Sequence, residues 1–450
     1  MTPGAAPPDT AWPTDVFDRR LQPASAAPIA VAVSGGGDSL AALLATKAWA
    51  DRAGRRIVVI TVDHGLQAGS AAWVGIVGET AHRLGADFEA LTWEGDKPAS
   101  GLAAAARKAR HRLIAAAARR RGARVVVFGH TADDVAEAAW MRAQGASVGS
   151  PGEWGPSPAW PEGREVFLLR PLLALGRAEI REWLVAAGEA WIDDPANETA
   201  SSLRARARIA LGLLPSRETV AAKRTDEGTR RPIRARSKTP RRRPCDPSPG
   251  PSAHLLAQGE KAYDRADGSL VLDRSFFRAA ADPIRILGAA LTCAGGGDRP
   301  PPRDRLAALA GRVAADGELT ATLAGAKLIG DGAQILIVRN PGETARGGLA
   351  PLRLALGETG VWDGRFEITA GDDPVIIEPL AGHARALDAA SSQALRRLPA
   401  AARGALPSYA DAAGRRVCPI LAQGPSLRVK SLVAARFVAA CGVISKEPAA

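Results

Sequence analysis

Sulfur is scarce in this chain, and what there is does not pair. Four cysteines in 450 residues, Cys245, Cys293, Cys418 and Cys441, lie far apart with no Cys-x-x-Cys among them. That spacing argues against a disulfide framework and against a zinc or iron–sulfur site, leaving reduced thiols. Aromatic residues are only 4% of the sequence. No apolar run approaches the roughly 18 residues that a membrane span needs. Residues 1–28 lack the basic-then-apolar order of a secretory signal, so the expectation is a cytoplasmic protein with no membrane partner. Acid is also in deficit. Fifty-nine Lys and Arg face 47 Asp and Glu, a formal charge of +12. Such a surplus suits a partner that carries phosphates, although a merely basic soluble protein has the same number. A chain of this length exceeds one ordinary core, and two or three domains are expected.

What the sequence does have is a phosphate loop. The apolar run from Ile29 to Val33 reads as a buried parallel strand that stops at Ser34-Gly35-Gly36-Gly37-Asp38-Ser39. Leu40 to Trp49 then carries a helical Ala/Leu pattern, with Asp38 and Ser39 placed to start it. Glycines allow the backbone close to an anion, and free helix N–H groups point at it with the positive dipole end behind them. No Lys-Ser/Thr pair follows, so this is not a Walker loop, and the dinucleotide spacing Gly-x-Gly-x-x-Gly is absent. Ser-Gly-Gly-x-Asp-Ser after a strand is the pattern of the ATP pyrophosphatase loop.

Downstream, strands and helices alternate. Strands are predicted at 56–62, 87–93 and 123–129, helices at 69–84 and 101–121, and a further helix through Met141 after the polar run His130 to Asp134. This alternation implies an α/β fold with a doubly wound parallel sheet, whose ligands bind beyond the carboxyl ends of the strands. Ser34 to Ser39, Asp63-His64 and His130 to Asp134 all fall at such ends. Residues 143–165 read as a surface excursion. Order restarts near Leu168, with a helix over 177–187 and a basic helix carrying Arg204, Arg206 and Arg208. The domains expected are an extension (1–28), the ATP-pyrophosphatase domain (29–215), a basic Pro/Arg-rich linker (216–253), a small helical middle module with a β-like end at 321–338 (254–345) and a C-terminal α+β domain (346–450). The linker admits three accounts: a contact to a nucleic-acid backbone, an inert solvated tether, or text from a shifted reading frame.

The residue chemistry points to ATP cleavage between the α- and β-phosphates. The Gly35, Gly36 and Gly37 backbone and the Ser34 and Ser39 hydroxyls would hold pyrophosphate, and Asp38 would share Mg²⁺ with phosphate oxygens. Asp63 and His64 fall on the nucleoside side, although His64 equally suits a backbone-bonded turn residue. His130 and the carboxylates Asp133 and Asp134 face the acceptor, and one of that pair is also suited to cap the following helix.

The ordered motif set resembles the tRNA(Ile)-lysidine synthetase family. It comprises the loop Ser34 to Ser39, Val62 to Leu66, Ala106-Arg107-x-x-Arg110, Gly129-His130-x-Ala-Asp133-Asp134, Asp194-Pro195-x-Asn197 and Arg204-x-Arg206-x-Arg208. The likeness is dense over 29–215 and thinner later, at Ala321 to Gly325 and Trp362 to Phe366. It implies adenylation of carbon 2 of the wobble cytidine in a tRNA(Ile) with a CAU anticodon, then displacement of AMP by free L-lysine. ATP is then a substrate and Mg²⁺ its companion. By motif position Asp38 handles Mg²⁺, and Arg110, His130, Asp134 and one of Arg204 and Arg208 serve nucleotide, lysine or cytidine, with Asp134 on the lysine amine. Oligomeric state stays open, a homodimer being one assembly the resemblance admits. Departures from the family pattern are Gln67 for Arg, His111 for Tyr and Ala205 for Asn. A tRNA thiolase would want paired cysteines near the loop, and an amidotransferase-type ligase a glutaminase partner. A nucleotide-dependent tRNA-binding protein without turnover would share the same residues.

Overall fold

Short β-branched runs, each ended by a glycine or a polar residue, build the centre of the first domain. The computed structural model describes residues 14–66, 69–95, 97–146, 148–192, 203–213, 265–345, 349–422 and 427–449. Gln67, Asp194-Pro195-x-Asn197 and the 216–253 tract lie outside these, so the expectations placed on them are not addressed further. β1 (Ile29–Ala32) pairs in parallel with β2 (Ile57–Asp63) on one side and β4 (Val125–Phe128) on the other. β3 (Asp87–Thr92) and β6 (Phe167–Leu169) extend the two flanks, and β5 (Trp154–Pro156) closes one edge antiparallel. The order is β3-β2-β1-β4-β6-β5. The stretch at 143–165 therefore returns to the sheet, with Trp154 stacked on Phe167 at 5.1 Å.

Alternation along the strands fills both faces, as a covered parallel sheet requires. Ile29, Val31, Val125 and Val127 face a core shared with α1 (Thr14–Arg20), α2 (Gly37–Ala53), α3 (Ser70–Arg83) and α6 (Arg177–Ala186). Ala30, Val58, Ile60 and Val126 face Ile114, Ala117 and Ala118 of α4 (Leu102–Arg120). α5 (Ala132–Ala143) and α7 (Leu203–Ala210) complete the described part of this unit. Val16 and Phe17 of α1 are buried in its core, so the domain begins upstream of residue 29.

β1 and β4 are adjacent at the point where strand order reverses, and each feeds a helix there. α2 begins at Gly37, inside the glycine run and one residue ahead of the Asp38-Ser39 pair placed to start it. Gly35 takes a positive φ of 88° to make the turn, and the Ser39 hydroxyl then donates to the Gly36 carbonyl at 2.8 Å. β4 ends at Gly129 for a steric reason. A Cβ there would lie 2.3 Å from the Asp38 carbonyl oxygen and 2.8 Å from the Ser39 nitrogen.

Beyond the first domain the expected helical module is two-layered. Helices Arg274–Ala279, Pro283–Ala294 and Arg303–Ala314 pack on an antiparallel sheet ordered β7-β10-β9-β8, formed by β7 (Leu270–Asp273), β8 (Leu319–Leu323), β9 (Ala326–Gly330) and β10 (Gln334–Arg339). The strands alternate buried and exposed positions because only one face meets the helices. The helix Val433–Cys441 inserts Val433 and Phe437 into this same core, so residue 346 is not a boundary in packing. Between them lie two small antiparallel sheets, one pairing Leu352–Leu354, Val375–Pro379, Pro407–Ala410 and Arg416–Val417 in that order, the other Thr359–Trp362, Phe366–Ala370 and Leu427–Ser431. No helix among the described residues is long and apolar enough to cross a membrane.

Three buried ion pairs, at two places, fasten the parts together. Asp363 receives both Arg339 from β10 and Arg365, and its neighbour Gly364 accepts a hydrogen bond from Trp160 of the first domain at 3.0 Å. Near the chain end, Glu447 and Arg55 pair at 2.9 Å with almost no exposure, joining the last residues to the loop before β2.

Gly129→Ala should test the close approach of β4 to α2. The added methyl forces the start of α2 away, with a stability loss of about 1–3 kcal/mol, the scale of overpacking, in a thermal or urea melt. Binding of a non-hydrolysable ATP analogue should fall with it. Wild-type melting and binding together would show that the contact does not constrain the loop.

Candidate active site

The phosphate loop is shaped by backbone. α2 has Gly36 as its N-cap and receives no side-chain cap, which leaves its first N–H groups directed at the crevice. Ser34 and Ser39 hydroxyls lie 3.3 Å apart, and the Ser34 N–H donates to the Ser39 hydroxyl at 3.2 Å. The far side of the loop is covered by Ile192, whose N–H donates to the Gly35 carbonyl at 3.0 Å. A Cβ on Gly35 would meet the Ile192 side chain at 2.5 Å.

Next to the loop, α5 delivers its carboxylates. Thr131 caps α5, and its N–H donates back to Asp134 Oδ2 at 2.9 Å, so Asp134 is the return arm of a capping box. Asp133 instead accepts the Arg177 N–H at 2.8 Å and anchors the start of α6. Both acids at this strand end thus hold a helix terminus, and Asp134 also turns its other oxygen into the crevice. Glu137, three residues on and on the same helix face, is fully buried.

One guanidinium connects these groups. Arg177 reaches Asp38 Oδ2 at 2.9 Å through Nε, Glu137 Oε1 at 2.7 Å through Nη1 and Asp134 Oδ1 at 3.1 Å through Nη2. From α7, Arg208 donates to Glu137 Oε1 at 2.8 Å, and Arg204 lies 3.0 Å from Glu137 Oε2 and 3.9 Å from Asp134. Of the residues singled out by sequence, Asp38, Asp134, Arg204 and Arg208 therefore meet in one lattice. Arg177 and Glu137 were missed. Glu137 had a signal in its three-residue spacing from Asp134, whereas Arg177 had none, because it reaches the site only by folding.

Arg110 sits deeper, with its Nε buried and lacking a hydrogen-bond partner. Burial first, then the neighbouring Arg107 and Arg204, push its pKa down to about 10. Arg170 is lowered to about 10 in the same way, by burial and Arg107. This is a pocket of positive charge short of an anion. His64 lies beside it, lowered by burial and by Arg110, with Nδ1 buried and unpartnered. The turn after β2 is made by Asp63, whose Oδ1 accepts the Gly65 N–H at 2.7 Å, so it is Asp63 and not His64 that bonds the backbone.

His130 accepts from Arg170 Nε at Nδ1, at 3.2 Å, which leaves its proton on Nε2. Burial and Arg170 push its pKa down to about 3, so it is a neutral donor at physiological pH. Phe128 stacks between it and His111, with centroids 5.8 and 5.2 Å away. His111 is buried and lowered to about 2 by burial and Arg107. Asp38 is raised by burial, which outweighs Arg177, whereas Asp134 is held low despite burial by Arg177 and the Thr131 N–H. The described cysteines, Cys293, Cys418 and Cys441, all lie outside this domain.

The PP-loop domain family matches residues 14–215. A tRNA(Ile)-lysidine synthase from Caulobacter vibrioides is 45% identical over 96% of this chain and 97% of that one. Another from Mesorhizobium japonicum is 35% identical over 78% of this chain and 74% of its own length. A solved U34-tRNA thiolase from Methanococcus maripaludis aligns at a TM-score of 0.39 with 15% identity, over 45% of this chain and 71% of that chain.

The two low-pKa imidazoles make a spectroscopic prediction. An unfolded histidine titrates near 6.5. Between that value and about 3, the unfolded chain takes up a proton that folded His130 refuses. The stability it contributes is therefore present above about 6.5 and lost as pH falls toward 3. In ¹³C-histidine NMR, the His111 and His130 signals should stay flat from pH 8 to about 5. A midpoint near 6 for either would show that it is not buried as described.

Proposed function

Since the chain belongs to the tRNA(Ile)-lysidine synthase family, whose members are ATP-dependent tRNA-modifying ligases, we propose that the crevice at the carboxyl ends of β1 and β4 carries out both half-reactions of lysidine formation. The observation that carries this is the single guanidinium joining Asp38, on the phosphate loop, to Asp134 and Glu137, on the acceptor side.

In the first half-reaction, the oxygen on carbon 2 of the wobble cytidine of a tRNA with a CAU anticodon attacks the α-phosphorus of ATP. The bond to the β-phosphate oxygen breaks, and pyrophosphate leaves onto the Ser34 to Ser39 loop. The α2 N-terminus and the Ser34 and Ser39 hydroxyls stabilise its charge there. Arg110, with Arg107 and Arg170, supplies the cationic wall for the α-phosphate. Neutral His130 donates from Nε2 and so holds a phosphate oxygen without giving up a proton.

In the second half-reaction, the ε-amine of free L-lysine attacks carbon 2 and AMP departs with the oxygen. Asp134 and Glu137 orient the amine, and Asp134, held as a carboxylate, can accept its proton. Asp38 fits a Mg²⁺ ligand. It is a carboxylate pushed up by burial, with one oxygen on Arg177, at the phosphate loop. That matches an ion which takes one or two carboxylates plus phosphates. Mg²⁺ bound there would neutralise phosphate charge. Residues 265–345 and 349–449 we assign to tRNA binding.

Incubation with ATP, ¹⁴C-lysine and tRNA, followed by digestion to nucleosides, should place label in one modified cytidine, strictly dependent on ATP. Unlabelled tRNA would sink the proposal. Asp38→Ala should lose both adenylation and lysine transfer by about 10³-fold or more, since the chemistry is positioning and charge neutralisation. Asp134→Asn should differ, accumulating adenylated tRNA while lysine transfer falls about 10²-fold. Equal loss of both steps would place Asp134 on the nucleotide instead.

A further inference from the structure

We infer that Arg177 is a positioning residue whose guanidinium stands where the substrate amine has to go, and that lysine enters the acceptor site by displacing it. The inference rests on the assignment of Asp134 and Glu137 to the lysine amine made above. It follows from asking which carboxylate oxygens are open.

Asp134 Oδ2 is committed to Thr131, at 2.9 Å from the N–H and 3.3 Å from the hydroxyl. Its Oδ1 faces Arg177 at 3.1 Å and Arg204 at 3.9 Å. Glu137 Oε1 is shared by Arg177 and Arg208. Its Oε2 lies 3.0 Å from Arg204 without an aligned hydrogen bond. An ammonium placed between Asp134 Oδ1 and Glu137 Oε1 would therefore overlap the group that already bridges them, which is the Arg177 guanidinium.

Charge leads to the same place. The carboxylates of Asp38, Asp134 and Glu137 are matched by Arg177, Arg204 and Arg208, and a further cation brought among paired ions gains little for its desolvation. Exchange of one cation for another keeps the balance. Arg177 is also the arginine that touches all three carboxylates, so its movement releases Asp38 Oδ2 on the phosphate loop at the same moment. The acceptor site and the loop are thereby coupled through one side chain. The α6 end of that side chain stays fixed, because Asp133 holds the Arg177 N–H.

The alternative is a permanent strut, and affinity separates the two. L-lysine should be titrated calorimetrically into the full-length protein and its Arg177→Gln, Arg177→Lys and Asp134→Asn variants, with lysine KM and kcat measured alongside. Removing the resident cation should tighten lysine binding by about tenfold in Arg177→Gln, the scale of one screened charge contact at a partly buried site. Its KM for lysine should fall with it, while kcat falls because Asp38 and Asp134 lose their common anchor. Arg177→Lys keeps the charge with fewer hydrogen bonds and should tighten lysine by about threefold, carrying the test should the Gln variant not fold. Unchanged or weaker lysine binding in both Arg177 variants, with Asp134→Asn still weakening it, would overturn displacement and leave Arg177 a strut. Lysine affinity untouched in Asp134→Asn would instead remove the acceptor assignment beneath it.

Discussion

Burial of an anion is the constraint to which the site answers. Glu137 has no exposed surface, and a carboxylate in that position is untenable unless cations come to it. Three do, from two helices: Arg177 on α6, and Arg204 and Arg208 on α7. Because Arg177 also takes Asp38 and Asp134, satisfying one buried charge draws α2, α5, α6 and α7 to a common point. Removing any partner would strand the others, which is why buried networks of this kind are costly to break even where their net worth is small.

The phosphate side is built on the opposite principle, by removing side chains. Gly35 bends through a conformation closed to most residues, and Gly129 lets a strand end touch the first turn of α2. What remains is backbone N–H aimed into a crevice whose other wall, Arg107, Arg110 and Arg170, has more positive charge than local acids can match. Burial first, and then the neighbouring arginines, depress the pKa values of all three. In such a place an anion of several charges, as ATP is, relieves strain as it binds.

Buried contacts hold the modules together, beside exposed ion pairs such as Lys430 with Glu165. Asp363 sits in a left-handed turn with φ 50° and is gripped by Arg339 and Arg365, while Gly296 and Gly364 approach so closely that neither tolerates a Cβ. Arg55 and Glu447 then return the chain end to the first domain, aided by the Glu447 N–H on the Arg20 carbonyl at 2.7 Å. On the proposed function, a tRNA touching both the crevice and the later modules would require their relative placement to be held in this way.

Much of this was legible in the sequence, for reasons of range. The parallel sheet, the loop at Ser34 to Ser39 and the polar strand ends at Asp63 and His130 follow from periodicity and glycine placement, which act over a few residues. Local signals placed the start of α2 to within one residue and gave residues 254–345 a β-like end at 321–338. They missed β7, a short strand whose partner β10 lies some sixty residues downstream. Arg177 was invisible as a site residue, as one arginine at the head of an ordinary amphipathic helix. Its role depends on α6 arriving beside α2 and α5, a contact between residues 139 and 40 positions apart along the chain. The sequence by itself determined which chemical groups reach the strand ends. Only the tertiary structure decided which charges neutralise one another there, because Coulomb interaction depends on separation in space and on burial, and neither is written in the order of residues.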